Sequence, residues 1–161
     1  MKRFRLRGGE QGYTFVELLV VALILMVLAS VALPLTRVVV KRQKEVELRR
    51  ALREMRTAVD RYKDAADMGL VASTELEPDD EGYPKTLEIL VEGVRAAGAN
   101  PDRRLKFLRR IPFDPMIGTQ EWGLRSYQDD AKSKSWGGEN VFDVFTTSQG
   151  TALDGSKYRE W

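Results

Sequence analysis

Gly12-Tyr13-Thr14-Phe15-Val16-Glu17 leads without a break into the run LLVVALILMVLASVALPL at residues 18–35. No charged side chain interrupts that run, and its length approaches the ~20 residues that a helix needs to cross ~30 Å of hydrocarbon. Lys2, Arg3, Arg5 and Arg7 stand ahead of it, opposed only by Glu10. By the positive-inside rule that end stays in the cytoplasm and the bulk of the chain is exported. The pattern predicts a single transmembrane helix, with the remainder outside the inner membrane.

A cleavable secretory signal would have a shorter apolar core, about 7 to 15 residues, followed by a small-residue cleavage site. Here the run is longer and is followed by a basic helical stretch, residues 37–44, with no such site. The apolar segment is therefore read as retained. Glu17 sits at its edge among Phe15, Val16, Leu18 and Leu19. A carboxylate in a bilayer costs on the order of 2 to 3 kcal/mol even on the lenient insertion scale, so such a residue marks a function or a partner. The plainer alternative is that Glu17 snorkels to the headgroups.

Taken together, these residues resemble the class III signal sequence of type IV pilins and pseudopilins: a Gly, an aromatic residue, Thr, an apolar pair and Glu ahead of a long hydrophobic helix. The resemblance implies cleavage by prepilin peptidase between Gly12 and Tyr13, and N-methylation of the new amino terminus at Tyr13, where the family more often has Phe. An amine on Tyr13 would lie four residues before Glu17, on one helical face and one turn apart. In a stack of subunits, a neighbour's amine would pair with the Glu17 carboxylate in lipid and fix axial register. Glu17 is thus the expected assembly residue. Pro34 removes a backbone donor near the end of the run and crowds the preceding turn, so a helix kink or local loosening is expected there.

Residues 37–67 contain no Pro or Gly. Leu48, Leu52, Met55, Val59, Tyr62 and Ala66 advance by alternating steps of four and three, and Ala51, Ala58 and Ala65 widen the stripe. That is one apolar face of an amphipathic helix. A two-helix coiled coil would use the same spacing. The strand and turn signals beyond Gly69 favour a small sheet laid on the helix instead. Gly69 is the expected helix stop. The run Pro78-Asp79-Asp80-Glu81 reads as solvated loop, and Thr86 as the cap of a short helix with Leu87, Leu90 and Val91 inward. Residues 111–118 form a Pro-rich crossover, and residues 122–127 and 141–147 read as antiparallel strands.

The expected class is α+β: a long N-terminal helix packed on a small antiparallel sheet. Four parts are anticipated: a basic leader at 1–12, an apolar assembly helix at 13–36, an amphipathic half-helix at 37–68, and a globular part at 69–161. The order of Gly82-Tyr83-Pro84, a Leu-rich short helix, Pro112-Phe113-Asp114-Pro115, Trp122-Gly123 and Asp143-Val144-Phe145 resembles the major pseudopilin of type II secretion systems. The absence of Cys favours that subunit over type IVa pilins, which commonly close their C-terminal region with a disulfide.

The resemblance implies a methylated subunit of a short periplasmic filament that drives protein export. Its partners would be other copies of itself, prepilin peptidase, an inner-membrane assembly platform and minor pseudopilins. Minor tip subunits often lack the Glu, so Glu17 points to the filament body. Many major pseudopilins bind calcium in an acidic C-terminal loop. Here residues 148–161 offer only Asp154 and Glu160, with Asp143 upstream, so a turn at Asp154-Gly155 is preferred, with Tyr158 and Trp161 packed back on the sheet.

With no His and no Cys, His-based acid/base chemistry and the usual zinc sites are excluded, and a non-enzymatic role is expected. The first twelve residues carry the positive excess, and the rest holds 22 Lys/Arg against 23 Asp/Glu, which gives no basic footprint for nucleic acid. The alternatives are a type IV pilus subunit for adhesion or motility, and a membrane-anchored periplasmic enzyme or binding protein. The latter would draw on Asp79, Asp80, Glu81, Asp129 and Asp130, which have no partner base or nucleophile motif beside them.

Overall fold

The computed structural model of the chain describes residues 12–98, 103–133 and 135–161, and of residues 31–35 the backbone only. The expected leader therefore lies, apart from Gly12, outside the described residues. The chain divides into two compact units, Met1–Val40 and Lys41–Trp161. The first helix, α1, is bounded by Phe15 and Asp67 and contributes to both.

Thr14 starts α1. Its Oγ1 accepts the Glu17 N–H at 3.2 Å, the bond an N-cap hydroxyl makes to a first-turn donor. Its carbonyl accepts the Leu18 N–H at 3.1 Å. Thr14-Phe15-Val16-Glu17 has the spacing of a capping box, with the Thr half of the box formed. Tyr13 precedes the helix in this chain.

In the first unit every described side chain is exposed, including Phe15, Leu18, Leu23 and Leu28. Among the described residues no helix is long and apolar enough to cross a membrane. The uncharged stretch whose side chains are described, residues 18–30, accounts for about 20 Å of helix, short of a ~30 Å hydrocarbon core. The span expected over residues 18–35 runs on into residues whose side chains are not described.

In the second unit the apolar stripe of α1 is consumed within the chain. Leu48, Ala51, Leu52, Met55, Ala58, Val59, Tyr62 and Ala65 are all buried. They pack in one cluster with Leu90, Val94, Trp122, Val141, Val144 and Tyr158. Each large apolar side chain so buried contributes about 1.5–3 kcal/mol. That is several times what any i,i+4 surface pair supplies, so the stripe faces this core and leaves no seam for a coiled coil. At its end α1 closes with Gly69 at φ 66°. The Gly69 N–H donates to the Ala66 carbonyl at 3.0 Å and the Leu70 N–H to that of Ala65 at 2.9 Å, the paired bonds of a Schellman motif.

The covering layer is two small antiparallel sheets rather than one. Strand β1, Val94–Arg95, pairs with β2, Arg104–Leu105. Strand β3, Trp122–Arg125, pairs with β4, Asp143–Thr146, placing Gly123 opposite Phe145. A Cβ on Gly123 would lie 2.3 Å from the Phe145 ring, so the pair requires glycine for the ring to close over the backbone. Helix α2, Leu87–Glu92, buries Leu87 and Leu90, with Val91 half-buried against the core. Thr86 holds the N-cap position with extended backbone but forms no side-chain cap bond, so packing rather than capping holds this helix.

Candidate functional site

The residues singled out by sequence fall into two groups. Gly12, Tyr13, Glu17 and Pro34 belong to the first unit; Asp143 and Asp154 belong to the second. Gly12 and Tyr13 lie outside regular structure. Among the described residues nothing lies within 4 Å of a Cβ built on Gly12, and Tyr13 is 75% exposed. Four residues after Tyr13, the Glu17 backbone N–H is held by Thr14, while its exposed carboxylate has no hydrogen bond or ion pair among the described residues. An unpaired carboxylate thus stands on a helix whose neighbouring side chains, Phe15, Val16, Leu18 and Leu19, are apolar and exposed. Pro34 falls inside the bounds of α1, and its side chain is outside those described.

Both carboxylates of the second group are engaged by the protein's own cations and donors. Arg56 of α1 donates through Nε to Asp143 Oδ1 at 2.7 Å. Its Nη2 donates to the main-chain oxygens of Val144 at 3.1 Å and Trp161 at 2.6 Å. Arg125 donates from Nη1 to Asp143 Oδ2 at 2.9 Å, so each oxygen of Asp143 carries a guanidinium bond. One Arg thereby ties β4 and residue 161 to the helix. Asp154 accepts the Ser156 N–H and hydroxyl on Oδ1 at 2.9 and 2.6 Å. Its other oxygen lies 3.6 Å from Arg49. The Ser156 bonds, with Arg49 contributing, hold its carboxyl below the usual range.

Calcium asks for six to eight oxygens converging on one point. Among the described residues no group of three or more Asp, Glu, His or Cys could hold a metal ion. A guanidinium occupies the place at Asp143 where a cation would bind, so the donor set does not fit calcium. The turn expected at Asp154-Gly155 is present, with Gly155 at φ 89°. Tyr158 and Trp161 reach farther than the sheet. The Tyr158 hydroxyl donates to Glu45 of α1 at 2.8 Å, and Arg49 stacks 4.2 Å over the Trp161 ring.

Several polar residues matter more than sequence indicated. Glu45 is buried, and its Oε1 accepts both the Tyr158 hydroxyl and the Leu153 N–H, each at 2.8 Å. One step of three back from Leu48 lands on Glu45, so the apolar spacing already pointed to it. Asp114 is fully buried; Oδ1 accepts the Met116 N–H at 2.7 Å and Oδ2 the Thr146 hydroxyl, which ties the Pro-rich turn to β4. Asp80 is buried rather than solvated, and desolvation pushes its carboxyl up. Asp129 organises a loop by accepting the Ser126 and Gly137 N–H groups at 2.8 and 3.0 Å, bonds that hold its carboxyl low.

Residues 7–33 match the family described as the prokaryotic N-terminal methylation motif. No curated protein and no solved structure shows a significant match to the chain. The matched residues include Gly12, Tyr13 and Glu17, and behind them lies an α+β arrangement of long helix and small antiparallel sheets. The chain carries the prokaryotic N-terminal methylation motif at residues 7–33.

Proposed function

We propose that the chain is a prepilin-like structural subunit, cut between Gly12 and Tyr13, methylated at Tyr13 and polymerised into a periplasmic pseudopilus that drives export through a type II secretion system. The observation that carries it is the juxtaposition at the start of α1. An unpaired Glu17 carboxylate stands among exposed apolar side chains, four residues after the exposed Tyr13 and within the methylation motif. An exposed apolar surface of this extent calls for lipid or other copies of itself to cover it. A lone carboxylate in that surface calls for a cationic partner.

Because Tyr13 precedes the helix, its amine is free to swing towards a neighbouring subunit instead of being held against its own Glu17. The apolar segment anchors the precursor in the inner membrane, with the leader cytoplasmic and the second unit periplasmic. Loosening at Pro34 accompanies assembly. A type IV pilus subunit for adhesion or motility is the second reading, since the same signal serves both. The lack of Cys favours the secretion subunit.

Mass spectrometry of protein from its own host tests the processing: a mature chain starting at methylated Tyr13 is expected, and an intact Met1 would refute it. Assembly is tested with Glu17→Ala and Glu17→Leu, which are expected to abolish filaments while leaving processing in place. Filaments at normal levels from either variant would remove Glu17 from that role.

A further inference from the structure

Within the second unit, charge is sorted along the chain. Residues 41–56 hold seven Lys/Arg against three Asp/Glu, whereas residues 57–82 hold two against eight. Beside α1 lies a groove of about 470 Å³ whose lining includes Arg50, Arg53, Arg61 and Arg109, with Glu54 the one carboxylate. Its floor is apolar, formed in part by Ala58, Phe107 and Leu108. The ion pairs formed among the described residues involve Arg49, Arg56, Lys63, Lys85, Arg95 and Arg125. Those four groove arginines are in none of them, and all four are exposed.

A complementary feature lies on the same unit. The turn after Pro78 exposes Asp79 and Glu81. Neither forms an ion pair among the described residues, while Glu75 and Glu77 nearby are paired with Arg95 and Lys85. Glu81 is held at φ 52°, a left-handed turn geometry that fixes the direction of the acidic tip. Clustered like charges repel one another within a subunit, and an opposed cluster across an interface relieves that repulsion.

We propose that the arginine groove beside α1 is the docking site for the acidic turn, Asp79 to Glu81, of a second copy of this chain, so that neighbouring subunits interlock by charge outside the apolar segment. This rests on the filament reading above and adds to it a contact independent of Glu17. Guanidinium groups suit the role, because they pair with carboxylates through two parallel bonds and lose little hydration in doing so. Several weakly screened pairs acting together would set the register of neighbouring subunits where each exposed pair alone contributes little.

The test uses the full chain in its own host. R50E/R53E and D79K/E81K are each expected to lower the polymerised fraction about tenfold, and their combination to restore it, since the swap re-creates opposite charges. The substituted side chains are exposed and form no ion pair among the described residues, so thermal melts of the variants, read alongside, separate a loss of docking from a loss of folding. As a second measurement, R53C with D79C in this Cys-free chain should give a ladder of covalent oligomers on mild oxidation of assembled filaments. Filaments at parental levels from both reversals, failure of the swap to rescue, or intact filaments without cross-links would each overturn the docking and leave the filament reading standing. Absence of any polymer from the parent chain would overturn both.

Discussion

Replacing Glu45, a charged residue on the buried face of α1, with Ala should cost substantial stability. Both hydrogen bonds to its carboxylate end on Oε1, from the Tyr158 hydroxyl and the Leu153 N–H, and Glu45 and Tyr158 are 8% and 4% exposed. Deletion strands the buried Tyr158 hydroxyl, at about 1–3 kcal/mol, and takes its acceptor from the part-buried Leu153 N–H at a smaller cost. A loss of about 3 kcal/mol is expected, which for a domain of this size lowers Tm by about 10 °C. Glu45→Gln keeps one carbonyl oxygen able to accept both bonds and loses only the charge assistance, so it should cost about 1 kcal/mol. Adding Tyr158→Phe to Glu45→Ala removes one stranded donor and should recover part of the loss. Near-UV circular dichroism melts of the detergent-solubilised chain read all three. A Glu45→Ala protein melting within about 2 °C of the parent, or Gln proving as harmful as Ala, would refute the reasoning.

Alkali offers a second prediction. Burial pushes the phenols of both Tyr62 and Tyr158 up to about 12, from an ordinary 10.0, with the neighbouring acids Asp80 and Glu75 adding to it at Tyr62 and the bond to Glu45 adding at Tyr158. A group whose folded pKa is raised stabilises fully below its unfolded pKa. Stability should therefore hold up to pH about 10 and fall between about 10 and 12, with Tyr158→Phe flattening part of that fall in urea titrations. A steeper loss in the Phe variant would contradict it. For calcium, the guanidinium bonds on both oxygens of Asp143 predict no heat of binding in calorimetric titration of the chain and no shift in Tm. A saturable heat that disappears in Asp143→Asn would reverse that conclusion.

Local chemistry was legible along the chain wherever one residue or one period decides the outcome. The three-four spacing from Leu48 to Ala66 announced a buried helical face. Gly69 announced the stop, because only a residue tolerant of positive φ closes a Schellman motif there. Gly12 through Glu17 announced the methylation motif that residues 7–33 match, and Thr14-x-x-Glu17 also held the helix start. The aromatic and β-branched residues at 122–127 and 141–147 announced a strand pair, though its paired core is four residues on each strand.

What tertiary structure decided is the partner of each charge, because pairings between residues far apart in the chain leave no periodic trace. Arg56 and Asp143 are 87 residues apart, and Glu45 and Tyr158 are 113 apart. By spacing alone Asp143 and Asp154 were available to a metal, Asp80 belonged to solvent and Glu45 was an unremarked charge. Folding brings guanidinium groups to both oxygens of Asp143 and buries Glu45 beneath two donors. A carboxylate's role is set by which cation or donor reaches it first in space, and only the packed chain determines that order.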